Sequence, residues 1–173
     1  MIILLNGAFG VGKTTTAFKL CEKIDNAFIF DPEEVGYMVR KITEGVRLKK
    51  EETDDFQDIE IWKMLVVETA KRLKIQYNKN LIIPMTIYKQ DNFNFIIQDL
   101  KNLDKDFYHF CLTAKRDTIK NRLIKRENES KGWAFDRIDE CVSAFENDIF
   151  NEHIYTDCIN EDEVVKKILK KIL

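Results

Sequence analysis

The sequence is poor in several residue types, and each shortage excludes a class of protein. Two prolines and six glycines among 173 residues are too few for a collagen-like or a low-complexity chain. The four cysteines lie far apart, without a C-x-x-C pair or a Cys/His cluster, so neither a zinc site nor a disulfide framework is expected. We therefore predict buried, reduced thiols at Cys21, Cys111, Cys141 and Cys158.

An excess of one charge and a long apolar run are also missing. The 28 basic and 30 acidic residues nearly cancel, so the composition gives no reason to expect a nucleic-acid partner. No stretch of about 18 apolar residues is available to span a membrane. The apolar start of the chain has no basic residues before it and predicts a strand rather than a signal peptide. With 45% hydrophobic and 34% charged residues, we expect a cytoplasmic globular protein.

Five short apolar runs alternate with longer stretches of helical periodicity. The runs are continuous, which is typical of parallel strands that are buried on both faces of a sheet. The predicted strands are residues 2–5, 27–30, 81–86, 107–112 and 153–156. The predicted helices are residues 13–24, 32–43, 55–77, 93–103, 117–127, 135–150 and 163–172. Because no repeat or linker divides the chain, the pattern predicts one α/β domain over residues 1–173.

Three of the six glycines lie together in the segment G-A-F-G-V-G-K-T at residues 7–14. The segment matches the phosphate-binding motif G-x-x-x-x-G-K-[ST], and a predicted strand and helix flank it as that motif requires. Glycine permits positive φ, so successive N–H groups can point inward at phosphate oxygens. The alternative is a tight strand–helix turn without a ligand. We predict that nucleotide phosphates are bound by Gly7, Ala8, Phe9, Gly10, Val11, Gly12, Lys13, Thr14 and Thr15.

Two residues of this segment have distinct predicted roles in phosphate and metal binding. Lys13 places a charge at the β- and γ-phosphates, and the Thr14 hydroxyl is a ligand for Mg²⁺.

The predicted strand 81–86 ends without a carboxylate, and the guanine-binding pattern N-K-x-D is missing. The sequence therefore argues against a GTPase and favours a small kinase that uses ATP and Mg²⁺.

Asp31 follows the second predicted strand and precedes a helix that begins at Pro32. If this strand is the neighbour of the first strand in the sheet, the carboxylate lies at the edge where α/β proteins bind ligands. There it would accept the proton of the acceptor hydroxyl or hold Mg²⁺. A compatible alternative is that Asp31 is the N-cap of the helix.

Arg122 and Arg126 are four residues apart and therefore share one face of a predicted helix. A polar segment follows them, and we predict a lid at about residues 127–133 that brings both cations to the transferring phosphoryl group. Arg122 is also predicted to contact the nucleotide. The alternative is a solvated helix followed by a surface loop.

Other polar and aromatic residues are assigned structural roles. Phe56 and Trp62 have helical spacing and are predicted to pack in the core. His109 and His153 lie in predicted strands and are interpreted as buried core residues. Asp55 is interpreted as a cap at a helix start.

The chain resembles the tunicamycin resistance protein family, a bacterial group of small P-loop ATP-binding proteins. The resemblance runs from end to end in the same order. It is carried by residues 6–10 (NGAFG), 31–33 (DPE), 54–57 (DDFQ), 62, 84–87 (PMTI), 122–123, 126, 133–134 (WA), 138–139, 141–142, 149–150, 153–154 and 156–157.

This resemblance implies a fold similar to shikimate, gluconate and nucleoside monophosphate kinases. Such a fold is a three-layer P-loop domain with a five-stranded parallel sheet in the order 2-3-1-4-5, helices on both faces and a short lid. By position, Asp31 would face the acceptor and Mg²⁺, and Arg122 and Arg126 would correspond to lid arginines. The turn after Thr156 would border adenine.

The last eleven residues carry an apolar stripe flanked by lysines. The stripe consists of Val165, Ile168, Leu169 and Ile172. The favoured interpretation is a terminal helix that packs on the sheet. The alternative is peripheral membrane contact through this helix.

Two functions of different classes remain open at the level of sequence. The leading hypothesis is an ATP- and Mg²⁺-dependent phosphotransferase acting on a hydroxyl of a small molecule, such as a nucleoside-type antibiotic. The alternative is a nucleotide-dependent protein that sequesters tunicamycin or a related nucleotide-lipid without turnover. The missing carboxylate after strand 81–86 favours the alternative.

Overall fold

The computed structural model describes residues 1–127 and 131–172, in which strands and helices alternate along the chain. The strands are β1 (Ile2–Gly7), β2 (Ala27–Ile29), β3 (Asn80–Pro84), β4 (Phe107–Thr113) and β5 (His153–Tyr155). The α-helices are α1 (Lys13–Cys21), α2 (Pro32–Ile42), α3 (Glu60–Tyr77), α4 (Gln90–Leu103), α5 (Arg116–Glu127), α6 (Trp133–Asp136), α7 (Ile138–Ala144) and α8 (Glu161–Ile172). Short 3₁₀ turns lie at Lys49–Glu51, Phe56–Asp58 and Asp148–Phe150.

The five strands form one parallel sheet in the order β2-β3-β1-β4-β5. The central strand β1 pairs with β3 and β4, so that Leu4 lies between Ile83 and His109. Every residue of β1 is buried, because helices cover both faces of the sheet. The predicted strands and the predicted strand order are therefore confirmed.

The helices cover the sheet in two groups. Helix α1 packs against β1, β2, β3 and α8, whereas α3 packs against β3 and α4. The largest fully buried side chains are those of Trp62, Phe93 and Phe110. Val165 and Ile168 of α8 are buried as well, so the terminal helix packs on the body of the protein through its apolar stripe. No helix of residues 1–127 or 131–172 combines the length and apolar character needed to cross a membrane.

Two predicted helices are interrupted. The helix expected over residues 55–77 is divided into a 3₁₀ turn and α3, because two carboxylates bind backbone N–H groups at the break. The carboxylate of Asp55 accepts from Gln57 N at 2.9 Å, and that of Glu51 accepts from Glu60 N at 3.0 Å. The cap interpretation of Asp55 is thereby confirmed. The helix expected over residues 135–150 is divided into α6, α7 and a 3₁₀ turn that Asn147 caps.

The cysteine and histidine predictions hold in part. Cys111 and Cys141 are buried, and burial raises the pKa of each thiol to about 12. Cys158 is exposed, so its predicted burial is wrong; it lies in the turn between β5 and α8. The ring of His109 packs on Phe93, and burial lowers its pKa to about 4, as expected of a core histidine.

Candidate active site

The loop between β1 and α1 requires glycine at two positions for different reasons. Gly7 has φ +139°, and a Cβ there would lie 2.2 Å from the carbonyl oxygen of Leu112 on β4. Gly12 has φ +104° and is the N-cap of α1, but no atom lies near its missing Cβ. Since Gly12 has no side chain to accept from the first N–H groups of α1, these donors remain directed at whatever binds before the helix.

Lys13 lies beneath this loop and is bound by it. Its Nζ donates to Gly7 O and Ala8 O at 2.9 Å each, and to Thr86 Oγ1 at 2.8 Å. Burial lowers the pKa of Lys13 from 10.5 to about 8, because the charged ammonium loses its contact with water there. The Lys13 ammonium also lies 5.8 Å from the centre of the Phe9 ring.

Two carboxylates stand at the carboxyl end of β2, which β3 separates from β1, so the supposed pairing of the first two strands is wrong. Asp31 is the N-cap of α2, and its Oδ1 accepts from Glu33 N at 2.9 Å. Glu33 lies in the first turn of α2, and burial together with the charge of Asp31 raises its pKa. Asp31 and Glu33 both line the same cleft as residues 9–16 of the loop. The N-cap interpretation of Asp31 is confirmed, and its catalytic role stays a prediction.

One face of α2 and the 3₁₀ turn Phe56–Asp58 form the next wall of the cleft. Tyr37 and Arg40 follow Glu33 on this face at helical spacing. The ring of Phe56 packs over Gly36 and lies 6.0 Å from the ring of Tyr37, centre to centre. Phe56 thus belongs to the core, as predicted, and also lines the cleft.

The arginines of α5 lie opposite the two carboxylates. Arg122 donates to Thr156 Oγ1 at 2.9 Å and to Thr156 O at 2.8 Å, which connects α5 with the end of β5. Arg126 lies one turn further along α5, and both arginines line the cleft. The prediction that they share a face is therefore confirmed.

Three of the seven residues of the predicted lid at 127–133, residues 128–130, lie outside the described residues. Its last residue, Trp133, contacts the loop, with its ring 5.3 Å from that of Phe9. The Arg137 guanidinium lies 4.2 Å from the centre of the Trp133 ring and forms a 2.6 Å ion pair with Asp54. The end of the predicted lid therefore contacts the loop through Trp133, and Arg137 after it contacts the wall near Phe56.

The segment from the end of β5 to the start of α8 forms another part of the cleft wall. Its lining residues are Thr156, Ile159, Glu161 and Val164. This is the turn that the resemblance assigns to adenine. The whole cleft has a volume of about 950 Å³, which suits a nucleotide together with a small second molecule.

The structure brings the predicted site residues together. The residues from Phe9 to Thr15, together with Asp31, Arg122 and Arg126, line one cleft. Gly7 and Ala8 contribute through their carbonyl groups, which hold Lys13. Their roles in binding and catalysis stay predictions.

Sequence reasoning missed several residues of the cleft wall. They are Glu33, Tyr37, Arg40, Asp54 and Gln57. A signal for Glu33 existed, because it follows Asp31 by two residues in the first helical turn. Gln57 belongs to the segment DDFQ that carries the family resemblance, but helical spacing places it at the start of a long helix and predicts no role for its side chain.

Comparison with known proteins agrees with this geometry. The family model described as AAA domain matches residues 2–146. The structure of the tunicamycin resistance protein of Deinococcus radiodurans is 27% identical, covers 99% of this chain and 94% of its own, and superposes with a TM-score of 0.79. The predicted resemblance is therefore confirmed. A search of curated proteins finds no match.

More distant structures share the fold. A gluconokinase from Sinorhizobium meliloti 1021 is 14% identical, with a TM-score of 0.68 over 98% of this chain and 90% of its own. A shikimate kinase from Acinetobacter baumannii, in complex with shikimate, is 18% identical, with a TM-score of 0.65 over 99% of this chain and 92% of its own. The chain thus has a P-loop kinase-like fold.

Proposed function

The chain belongs to the AAA domain family, and on that premise we propose that it transfers a phosphoryl group from ATP to a hydroxyl of a small molecule, with Mg²⁺ as cofactor. One observation carries the proposal. The carboxylates of Asp31 and Glu33, the glycine-rich loop with Lys13, and the two arginines of α5 line a single cleft. Phosphoryl transfer needs these three kinds of group around the transferring phosphorus.

In this proposal the loop and α5 bind ATP. The N–H groups before α1 and the ammonium of Lys13 bind the phosphates, and the wall formed by Thr156 and Ile159 borders adenine. Arg122 and Arg126 stabilise the charge that develops on the transferring group.

Thr14 and Asp31 would hold Mg²⁺, which neutralises phosphate charge when it is bound. Both offer hard oxygen ligands, and both line the cleft next to the loop. Within residues 1–127 and 131–172, no group of three or more His, Cys, Asp or Glu side chains is arranged to hold a metal. That fits Mg²⁺, which commonly keeps waters and phosphate oxygens as ligands and takes only one or two from protein.

Glu33 is the group best placed to accept the proton of the acceptor hydroxyl. In the reaction, the hydroxyl oxygen bonds to the γ-phosphorus, and the bond from that phosphorus to the β–γ bridging oxygen breaks. ADP leaves with the bonding electrons, and the hydroxyl proton passes to the Glu33 carboxylate. The raised pKa of Glu33 makes it a stronger base than an ordinary glutamate.

The test is mass spectrometry of candidate acceptors incubated with the protein, ATP and Mg²⁺. Tunicamycin, gluconate and shikimate are the first candidates, since the similar structures are named for them. We expect one of them, or a related hydroxyl compound, to gain a phosphoryl group with wild-type protein and none with Lys13→Ala. Equal yields with both proteins would contradict the proposal.

A second candidate function is ATP-dependent binding without turnover. One observation favours it: the residue beside Lys13 at the end of β3 is Thr86, which offers a neutral hydroxyl where larger P-loop proteins place a carboxylate. In that case tunicamycin would bind in the presence of ATP and be recovered unmodified. The same incubation, followed by equilibrium dialysis, separates the two functions.

A further inference from the structure

Gln57 is a buried polar residue in the wall of the cleft. It lies in the 3₁₀ turn Phe56–Asp58, is 4% exposed, and lines the cleft together with its neighbours Asp54 and Phe56. No step of the proposed reaction uses its side chain. Its side chain therefore needs an explanation of its own.

The orientation of the Gln57 amide is determined by its partner. Nε2 donates to the backbone carbonyl of Thr86 at 3.0 Å, and a carbonyl oxygen can only accept. The Thr86 hydroxyl in turn accepts from Lys13 Nζ at 2.8 Å. The amide of Gln57 is thus connected through one residue to the lysine proposed to bind the γ-phosphate.

The backbone of Gln57 is fully bonded, but one side-chain atom is not. Its N–H donates to Asp55 Oδ1 at 2.9 Å, and its carbonyl accepts from Asn92 Nδ2 at 2.7 Å. The side-chain Oε1 is buried and has no hydrogen-bond partner among the described residues. Buried oxygens without a partner are rare in folded proteins, because they give up hydrogen bonds to water without replacement.

We propose that Gln57 recognises the acceptor molecule, its Oε1 accepting a hydrogen bond from an N–H or O–H group of that molecule. The proposal rests on the proposed function, because it assigns the acceptor to the same cleft. It also specifies a class of acceptor: a compound with a hydrogen-bond donor close to the hydroxyl that is phosphorylated. A compound with only an acceptor atom at that point is rejected, because it leaves Oε1 unpaired and repelled.

The test compares Gln57→Met with a matched control, Asn92→Ala. Methionine has a similar length and fills the same space without an acceptor oxygen. Asn92 is also buried and binds the same turn, through the Gln57 carbonyl, but it does not line the cleft. Calorimetry measures the affinity of each protein for tunicamycin, gluconate and shikimate in the presence of Mg²⁺ and the non-hydrolysable ATP analogue AMPPNP. Thermal unfolding is recorded for each protein.

We expect Gln57→Met to weaken binding of the recognised probe roughly tenfold, with unchanged affinity for AMPPNP, and Asn92→Ala to change neither. We expect the Tm of Gln57→Met to stay within about 2 °C of wild type, because the substitution removes an unpaired buried oxygen along with the bond to Thr86. We expect the Tm of Asn92→Ala to fall by about 4 °C or more.

Equal probe affinity in wild type and Gln57→Met would overturn the proposal and leave the proposed function intact. A Tm of Gln57→Met as low as that of Asn92→Ala would overturn it too, because Gln57 would then be a structural residue. If wild type neither binds nor phosphorylates any of the three probes or a related hydroxyl compound, the proposed function fails, and the assignment of Gln57 to the acceptor fails with it.

Discussion

Lys13 and Thr86 are joined by a 2.8 Å hydrogen bond that links the glycine-rich loop to the end of β3. The other partners of the Lys13 ammonium are two backbone carbonyls, so all three of its acceptors are neutral. Among the described residues, no carboxylate forms an ion pair with Lys13. The positive charge is therefore held in place by hydrogen bonds but is not neutralised, which leaves it available to a bound anion.

This arrangement predicts that Lys13 lowers stability while it supports binding. A pKa lowered from 10.5 to about 8 corresponds to about 3 kcal/mol of unfavourable free energy for the charged form in the folded state. We expect Lys13→Met to raise the free energy of unfolding at pH 7 by about 1 to 3 kcal/mol, because lost hydrogen bonds offset part of the gain. Urea unfolding measures this change, and calorimetry should show that ATP binding is lost.

The pH dependence provides the control. The folded-state pKa of Lys13 lies below the unfolded one, so between pH 8 and 10.5 the unfolded chain binds more protons. Wild-type stability should therefore rise relative to Lys13→Met as the pH increases through this window, and the difference between the two proteins should shrink. A difference that stays constant from pH 7 to 10 would show that the charge of Lys13 is not the cause.

A substitution at Asp31 is expected to lower turnover with little effect on the free energy of unfolding. Asparagine keeps an oxygen that can accept from Glu33 N, so Asp31→Asn should change the free energy of unfolding by less than about 1 kcal/mol. Because the amide no longer offers a negative charge for Mg²⁺, turnover should fall by roughly 10²-fold or more, while ATP binding persists. If turnover and acceptor binding are both unchanged, Asp31 is a helix cap and nothing more.

Glu33 should set the acidic limit of activity. Its carboxyl must be ionised to accept a proton, and burial beside Asp31 raises its pKa above 4.5. The rate of phosphoryl transfer should therefore decline as the pH falls through this raised pKa, and Glu33→Gln should be roughly 10²-fold slower without that decline. A pH–rate profile of both proteins checks this, and an unaltered acidic limb in Glu33→Gln would exclude the role.

The parts of the fold that follow from burial were predictable from sequence. The strands are continuous apolar runs because helices cover both faces of the sheet, and a glycine-rich loop between strand and helix marks the proposed phosphate site. The break before α3 was not predictable. It depends on Glu51, whose carboxylate binds the N–H of Glu60 nine residues away, and no local pattern specifies that contact.

The cleft wall proposed to bind the acceptor was harder to predict, because it too depends on contacts between distant segments. Phe56 has the spacing of a core residue and is one, yet its ring also forms cleft wall because Gly36 leaves space for it. Gln57 looks like an ordinary polar residue of a helix until its amide is seen to bind Thr86. Such roles arise from contacts between distant segments, which spacing along the chain does not encode.

Arg126 is expected to act on turnover more than on nucleotide affinity. It lines the cleft one turn beyond Arg122 on α5. Loss of an interaction that forms mainly in the transition state lowers kcat and leaves binding nearly unchanged, so Arg126→Ala should reduce kcat by about tenfold or more with little change in the Kd for ATP. Lys125→Ala is the matched control, because Lys125 is exposed and does not line the cleft. Equal effects of the two substitutions would assign Arg126 to a solvated surface.

Gly36 is expected to be coupled to the ring of Phe56 that packs over it. A Cβ at this position would lie 2.6 to 2.7 Å from three atoms of the Phe56 ring, which also packs on Trp62. Alanine normally favours a helix over glycine by about 1 kcal/mol, but forcing this ring aside costs about 1 to 3 kcal/mol. Gly36→Ala should therefore lower the free energy of unfolding and weaken acceptor binding, while ATP binding at the distant loop is retained. Adding Phe56→Leu to Gly36→Ala should recover part of the stability, because the smaller side chain relieves the overlap. If the losses in free energy of unfolding from the two substitutions simply add, the ring and Gly36 are not coupled.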